Sequence, residues 1–170
     1  PLGALSLLPP GAEDQPPGAV FEYAPAREAI AAQLGERLAK SRGAALLIDY
    51  GHLSSGFADT LQAMRAHRYV SVFEEPGSAD LTSHVDFEAL ANAAKAAGAA
   101  ALPAMSQGRF LLALGLAERA GALGRGKDAA TQDAIRTAAE RLAGTGKNGM
   151  GELFKVLCLT GGSTALPPFS

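Results

Sequence analysis

Behind Pro25, a residue suited to a helix's first turn, Ile30, Leu34 and Leu38 recur every fourth position. This stripe predicts an α-helix running to about Lys40, with Gly43 as its stop. Ala44–Ile48 follow as an unbroken apolar run with polar residues immediately after it. That pattern predicts a strand buried on both faces, as in a parallel sheet covered by helices. Helix, turn and buried strand make half of a βαβ unit. Upstream, Ala19–Tyr23 is a short extended candidate. Downstream, Asp86 is placed to cap a helix in which Phe87, Leu90, Ala91 and Ala94 share a face and Gly98 ends the run. A further helix is predicted from about Gln107 to Leu123, with Leu112, Leu116 and Leu123 on one side. After a break at Gly124–Lys127 comes an alanine-rich helix, Ala129–Ala143, with Ile135 and Leu142 as its apolar contacts. Leu153–Leu159 is the last predicted strand.

Two regions carry no such periodicity. Pro9, Pro10, Pro16 and Pro17 keep residues 1–18 irregular, and Pro167-Pro168 close a tail that begins at residue 161. Between Tyr50 and Asp80, Gly51, Gly56, Pro76 and Gly77 interrupt any regular pattern and predict mostly loop with short ordered pieces, and connections of that length are usually functional or disordered. The chain therefore reads as an α/β domain over residues 19–160, preceded by a Pro/Gly-rich connecting segment.

At 170 residues, 48% hydrophobic and 19% charged, the chain has the composition of a globular domain or of a large piece of one. A net charge of −2 gives no electrostatic footprint for nucleic acid or an anionic membrane, and no apolar run is long enough to cross a bilayer. The single cysteine, Cys158, lies among apolar neighbours, which points to a reduced, buried thiol and a cytoplasmic compartment. An opening on Pro1 without an initiator Met is the expectation for a piece of a longer protein.

Gly144-Thr145-Gly146-Lys147-Asn148-Gly149 matches G-x-G-x-x-G in letters only. A dinucleotide fingerprint needs a strand before the glycines and a helix after them, and here the order is inverted. A helix–strand connection is the better reading. The three histidines, His52, His67 and His84, lack ligand spacing, and no Ser stands in a nucleophile elbow. Polar chemistry concentrates instead in two strings. Ile48-Asp49-Tyr50-Gly51-His52 puts a carboxylate, a phenol and an imidazole at the end of the apolar strand, where open α/β sheets face their ligand crevice. Asp80-Leu81-Thr82-Ser83-His84-Val85-Asp86-Phe87 is the second.

These strings, together with Asp59-Thr60-Leu61-Gln62-Ala63, His67-Arg68-Tyr69, Pro76-Gly77, Gln107, Phe110-Leu111 and Met150–Leu157, occur in one order. In that order the stretch from Val20 to Leu159 resembles the family of the mitochondrial complex I assembly methyltransferase, a protein arginine methyltransferase, and its bacterial relatives. The resemblance implies the carboxy-terminal half of a class I, Rossmann-like methyltransferase sheet with flanking helices. It implies S-adenosyl-L-methionine as cofactor, with the glycine loop and ribose-holding acid lying upstream. Glu22-Tyr23-Ala24-Pro25 resembles the family's Glu-x-Ser-Pro, with Ala24 in place of Ser, and Ala58 stands where Gly is common. Asp49, His52, Asp80 and His84 are then the expected catalytic groups, with Glu22, Tyr50, Thr82 and Asp86 holding the acceptor. The expected partner is a protein substrate, with neither nucleic acid nor membrane. The competing expectation is a non-catalytic α/β interaction module docking through the long 50–80 connection.

Overall fold

The computed structural model describes Leu8, Pro9, residues 11–162 and residues 166–169. Pro10 and parts of the expected amino-terminal connection and carboxy-terminal tail lie outside the described residues. The regular elements are α1 (Pro25–Ser41), β1 (Ala44–His52), β2 (Gln62–Arg65), β3 (Arg68–Val70), β4 (Asp80–Thr82), β5 (Val85–Asp86) and α2 (Phe87–Ala96). They continue with β6 (Ala100–Ala101), β7 (Met105–Ser106), α3 (Gln107–Ala113), α4 (Leu116–Gly124), α5 (Ala129–Ala143) and β8 (Phe154–Thr160).

Two helices and one long strand pair form the centre. Pro25 opens α1, and Asp86 caps α2 by accepting the Ala89 N–H at 2.9 Å. The helices cross closely because Gly35 has no side chain, and a Cβ there would stand 2.6 Å from the Ala94 carbonyl oxygen. Beneath them, Leu157 and Leu159 of β8 meet Ala31, Leu38, Phe87, Leu90 and Ala94 in one apolar layer. On the opposite face Val156 packs with Met105 and Phe110, the latter carried by α3. Phe87, Val156, Leu157 and Leu159 lose essentially all contact with water, worth roughly 2 kcal/mol of transfer energy per side chain.

β1 runs antiparallel to β8 from Ala44↔Thr160 to Tyr50↔Phe154, and parallel to β5 only at Gly51 and His52. This corrects the expectation of a doubly buried, parallel-type strand. Ala45 and Leu47 face the helices, but Leu46 and Ile48, on the other face, are each 48% exposed. Along Ala44–Tyr50, the side of β1 away from β8 has no partner among the described residues. Ile30, expected within the helix stripe, is exposed beside the same open edge, where it lines a shallow hollow with Leu34 and Leu47. An unpaired apolar edge is a template for further strand pairing. The chain is therefore expected to self-associate at micromolar concentration, and Leu46→Lys to shift it toward monomer in sedimentation velocity. An unchanged sedimentation coefficient for both proteins would show that the edge is already covered.

One further expectation is made specific and another is corrected. The 50–80 connection is mostly loop, as expected, and its short ordered pieces β2, β3 and β4 form an antiparallel sheet of their own. Its first turn passes through Ala66 and His67, both at positive φ, so a left-handed pair made without Gly or Asn left no turn signal. The helix expected over Gln107–Leu123 is two helices, α3 and α4, parted at Gly115, which sits left-handed at φ 89°. The termini of α5 agree with the pattern, and Asp128 caps it through the Thr131 N–H. That bond, with the Thr131 side chain, holds the Asp128 carboxyl below its usual range.

Candidate functional site

The site is built where β1 ends and β5 begins. Gly51 makes that junction possible: a Cβ on it would lie 2.1 Å from the Val85 carbonyl oxygen, so only glycine lets the two backbones pair this tightly. The pairing sets His52 opposite Asp86. His52 Nε2 lies 3.6 Å from Asp86 Oδ2, both side chains partly buried, while Asp86 Oδ1 is occupied by the helix cap. Asp86 thus anchors α2 with one oxygen and faces the imidazole with the other.

A network of polar contacts fixes the surroundings. Phe21 bridges to Phe57, and the Ala58 N–H donates to the Val20 carbonyl at 2.9 Å, which ties the segment before α1 to the loop after β1. Next to this join the Glu22 carboxylate accepts the Thr60 N–H at 2.8 Å and, with its other oxygen, the Thr60 hydroxyl. Thr60 Oγ1 in turn accepts the His84 N–H at 2.9 Å. From the other side Arg27 donates to the His84 carbonyl and to Ser83 Oγ, each at 2.8 Å. Residues 83–84 are thereby pinned between α1 and the loop. Glu88, in the first turn of α2, accepts the Ser55 N–H at 2.7 Å.

Most of these groups, though not Thr60, line a cleft of about 720 Å³. Four carboxylates, Glu22, Glu28, Asp86 and Glu88, stand in its wall with His52 and His84, against one guanidinium, Arg27, whose donors are turned to a carbonyl and a hydroxyl. The balance favours a cationic ligand, and Asp86 and Glu88 keep lone pairs for one, since a carboxylate offers about four acceptor positions.

The expected residues divide. Glu22, His52, His84 and Asp86 meet in this cleft. Tyr50 does not line it, but its ring stands edge-on to those of His84 and Phe154 at 5.8 Å from each. Asp49 does not join them. Side chains alternate along a strand, so it faces a separate hollow of about 350 Å³ beside α1, with Leu34, Leu47 and Phe87, at the open edge of β1. Asp80 and Thr82 lie on β4, paired with Met64 and Gln62 of β2, and line neither hollow. Arg27, Thr60, Ser83 and Glu88 carry much of the geometry and were not singled out from the sequence. A polar first helical turn at 27–28 and an acid two residues after a capping aspartate were the available signals.

A sulfonium nucleoside cofactor needs a strand-to-helix turn whose amides hold its methionyl carboxylate. Among the described residues the glycine-rich stretch Gly144–Gly149 is not such a turn. Gly144 ends α5, and a Cβ on Gly149 would stand 2.1 Å from the Gly144 carbonyl oxygen, so the Gly144–Gly149 turn closes on its own carbonyls. This agrees with the reading of that stretch as a helix–strand connection. Cys158 is buried in β8, and burial pushes its thiol above the usual range. Maleimide labelling near neutral pH is accordingly expected to be at least tenfold slower in the folded protein than in denaturant, because the thiolate is the reactive species. Equal rates would place the thiol at the surface.

Comparison with known proteins adds the family. A family model described as "Putative S-adenosyl-L-methionine-dependent methyltransferase" matches residues 4–105, more than half of the chain. Curated relatives include the mitochondrial protein arginine methyltransferase NDUFAF7 of Xenopus tropicalis, 35% identical over 61% of this chain and 24% of its own length. The Caenorhabditis elegans homologue is 33% identical over 55% of this chain and 22% of its own. This chain therefore spans about a quarter or less of these relatives. Two crystal structures from Burkholderia thailandensis, of one superfamily, are each 33% identical. The first, of an uncharacterised protein, has a TM-score of 0.71 over 84% of this chain and 39% of that one. The second, bound to S-adenosyl-homocysteine, has a TM-score of 0.67 over 82% and 37%. The α/β sheet with flanking helices is thus the fold of the matching part of these two solved proteins, and the structural matches extend well beyond residue 105.

Proposed function

From the premise that this chain belongs to the S-adenosyl-L-methionine-dependent methyltransferase family, we propose that it forms the acceptor side of a protein arginine N-methyltransferase. The observation that carries this is the acid-walled cleft at the carboxyl end of β1, whose one guanidinium is turned inward. An acceptor arginine is planar and cationic, and a carboxylate can hold it through two parallel hydrogen bonds that fix its plane. Glu28, Asp86 and Glu88 are the carboxylates with an oxygen left to accept from it. Glu22 is a brace here, since both of its oxygens are engaged by Thr60. A guanidinium that gains a methyl group must shed a proton. His52, backed by Asp86 Oδ2 at 3.6 Å, is placed to take it, and the carboxylate stabilises the imidazolium that results. Asp49, Asp80 and Thr82 have no part in this arrangement.

The cofactor of the family is S-adenosyl-L-methionine, and these residues alone do not build its cradle. Calorimetry of this chain with S-adenosylmethionine is expected to show no micromolar binding. A micromolar dissociation constant would mean that the described residues hold it by another route. The activity itself is tested in a chimera in which this chain replaces the matching part of the S-adenosyl-homocysteine-bound Burkholderia thailandensis protein, incubated with tritium-labelled S-adenosylmethionine and arginine-containing peptides. Label recovered as methylarginine supports the reading, and label on lysine or glutamine sinks it. The rival, a non-catalytic interaction module, draws on the missing cradle. It predicts peptide binding without any incorporation of label.

A further inference from the structure

The three-stranded sheet formed by β2, β3 and β4 has no place in the acceptor cleft as described, yet it touches it. Leu61, the residue before β2, lines the cleft and is 50% exposed. Strand alternation puts Leu61 on the same side as Ala63, two residues on, and Ala63 pairs directly with Leu81 of β4. Leu81 is 62% exposed. The two leucines are diagonal neighbours across an antiparallel pair, a separation of about 7 Å. Ala63 between them is buried, so the exposed apolar surface that runs from the wall of the acidic cleft onto this sheet is that of the two leucines. The opposite face is different: Tyr69 and Asp80 both oppose Met64 there, pointing away from Leu81.

We propose that the Leu61–Leu81 face is the docking ledge for the acceptor protein, selecting an apolar side chain within two or three residues of the target arginine. This rests on the reading of the cleft as an arginine site. The occupant follows from charge and from continuity. Glu22, Glu28, Asp86 and Glu88 favour a cationic side chain in the cleft, and an extended peptide advances about 3.3 Å per residue. An acceptor whose arginine enters the cleft past Leu61 thus carries its residue two or three positions on over Leu81. Covering two half-exposed leucines with another aliphatic group adds binding energy of the size that separates affinities by about tenfold.

The test uses fluorescein-labelled peptides in which a single arginine is flanked by glycines, or has one leucine two or three positions away. Binding is read by fluorescence anisotropy on the whole chain. The leucine-bearing peptide is expected to bind about tenfold more tightly than the all-glycine one. Leu81→Ser should remove that advantage while leaving the glycine-flanked peptide's affinity unchanged, and Leu81→Met should restore it. Tyr69→Ser, on the opposite face, should keep it. Equal affinity of the two peptides for the unmodified protein overturns the ledge, as does an advantage that survives Leu81→Ser. A peptide with citrulline in place of arginine separates the two readings. If it binds as well as arginine while the leucine advantage persists, the cleft assignment fails and the ledge stands. If no peptide binds, both fail. Leu81 is mostly exposed, so its variants are expected to fold, and unchanged thermal melts verify this.

Discussion

Gly51→Ala is expected to cost about 3 kcal/mol of stability and to disable the cleft at the same time. The added Cβ meets backbone, with the Val85 oxygen at 2.1 Å and the Val85 carbon and nitrogen both at 2.9 Å, so no side-chain rotation relieves it. Either β5 detaches from β1 or β1 bends, and both parts of the site move with it, since His52 and Asp86 are the next paired residues. For a chain of this size such a loss corresponds to a fall in melting temperature on the order of 10 °C. Circular dichroism melts and anisotropy with an arginine peptide read the two consequences in parallel. A variant that melts like the parent would show that β5 is free to shift and that the close approach is not required.

The second large effect is expected at Asp86, where two roles can be separated by chemistry. Asparagine caps a helix as well as aspartate does, so Asp86→Asn should leave the melting temperature nearly unchanged. It removes the charge that faces His52 and the bound guanidinium, and charge-assisted hydrogen bonds of this kind are worth about 1.5–3 kcal/mol. Affinity for an arginine peptide is then expected to fall between roughly ten- and a hundredfold. Asp86→Ala removes the cap as well and should cost about 1 kcal/mol of stability in addition, because the Ala89 N–H loses its acceptor. If Asp86→Asn binds the peptide as the parent does, Asp86 is a structural cap and the cation is held elsewhere, with Glu88 the next candidate.

The contrast between Glu22 and Asp86 shows where sequence reading reached and where it stopped. Both acids stood out, Glu22 ahead of a helix-opening proline and Asp86 ahead of an apolar helical stripe. The helix cap at Asp86 was legible because capping is local, an oxygen and an amide three residues apart. That its second oxygen faces His52 was not, because the pairing passes through a two-residue parallel bridge between segments more than thirty positions apart. Glu22 was expected to hold substrate, yet its oxygens are taken by Thr60, a partner 38 residues away. Asp49 illustrates the opposite case. It shares a strand end with His52, but three steps along a pleat of period two put the pair on opposite faces, so nearness in sequence did not become nearness in the site.

Local physics alone determined the helices α1, α2 and α5, their proline and aspartate starts, the apolar strands β1 and β8, and the inverted order that disqualifies the Gly144–Gly149 turn as a phosphate cradle. Those features depend on interactions within about four residues, or on hydrophobic period, and both are written directly in the chain. Tertiary structure decided the antiparallel partner of β1, the exposure of Leu46 and Ile48, the small sheet turning at Ala66-His67, and which acids stand in one cleft. The physical reason is that burial belongs to pairs of surfaces: an apolar run states that a residue can be covered, and only the packed neighbours determine whether it is.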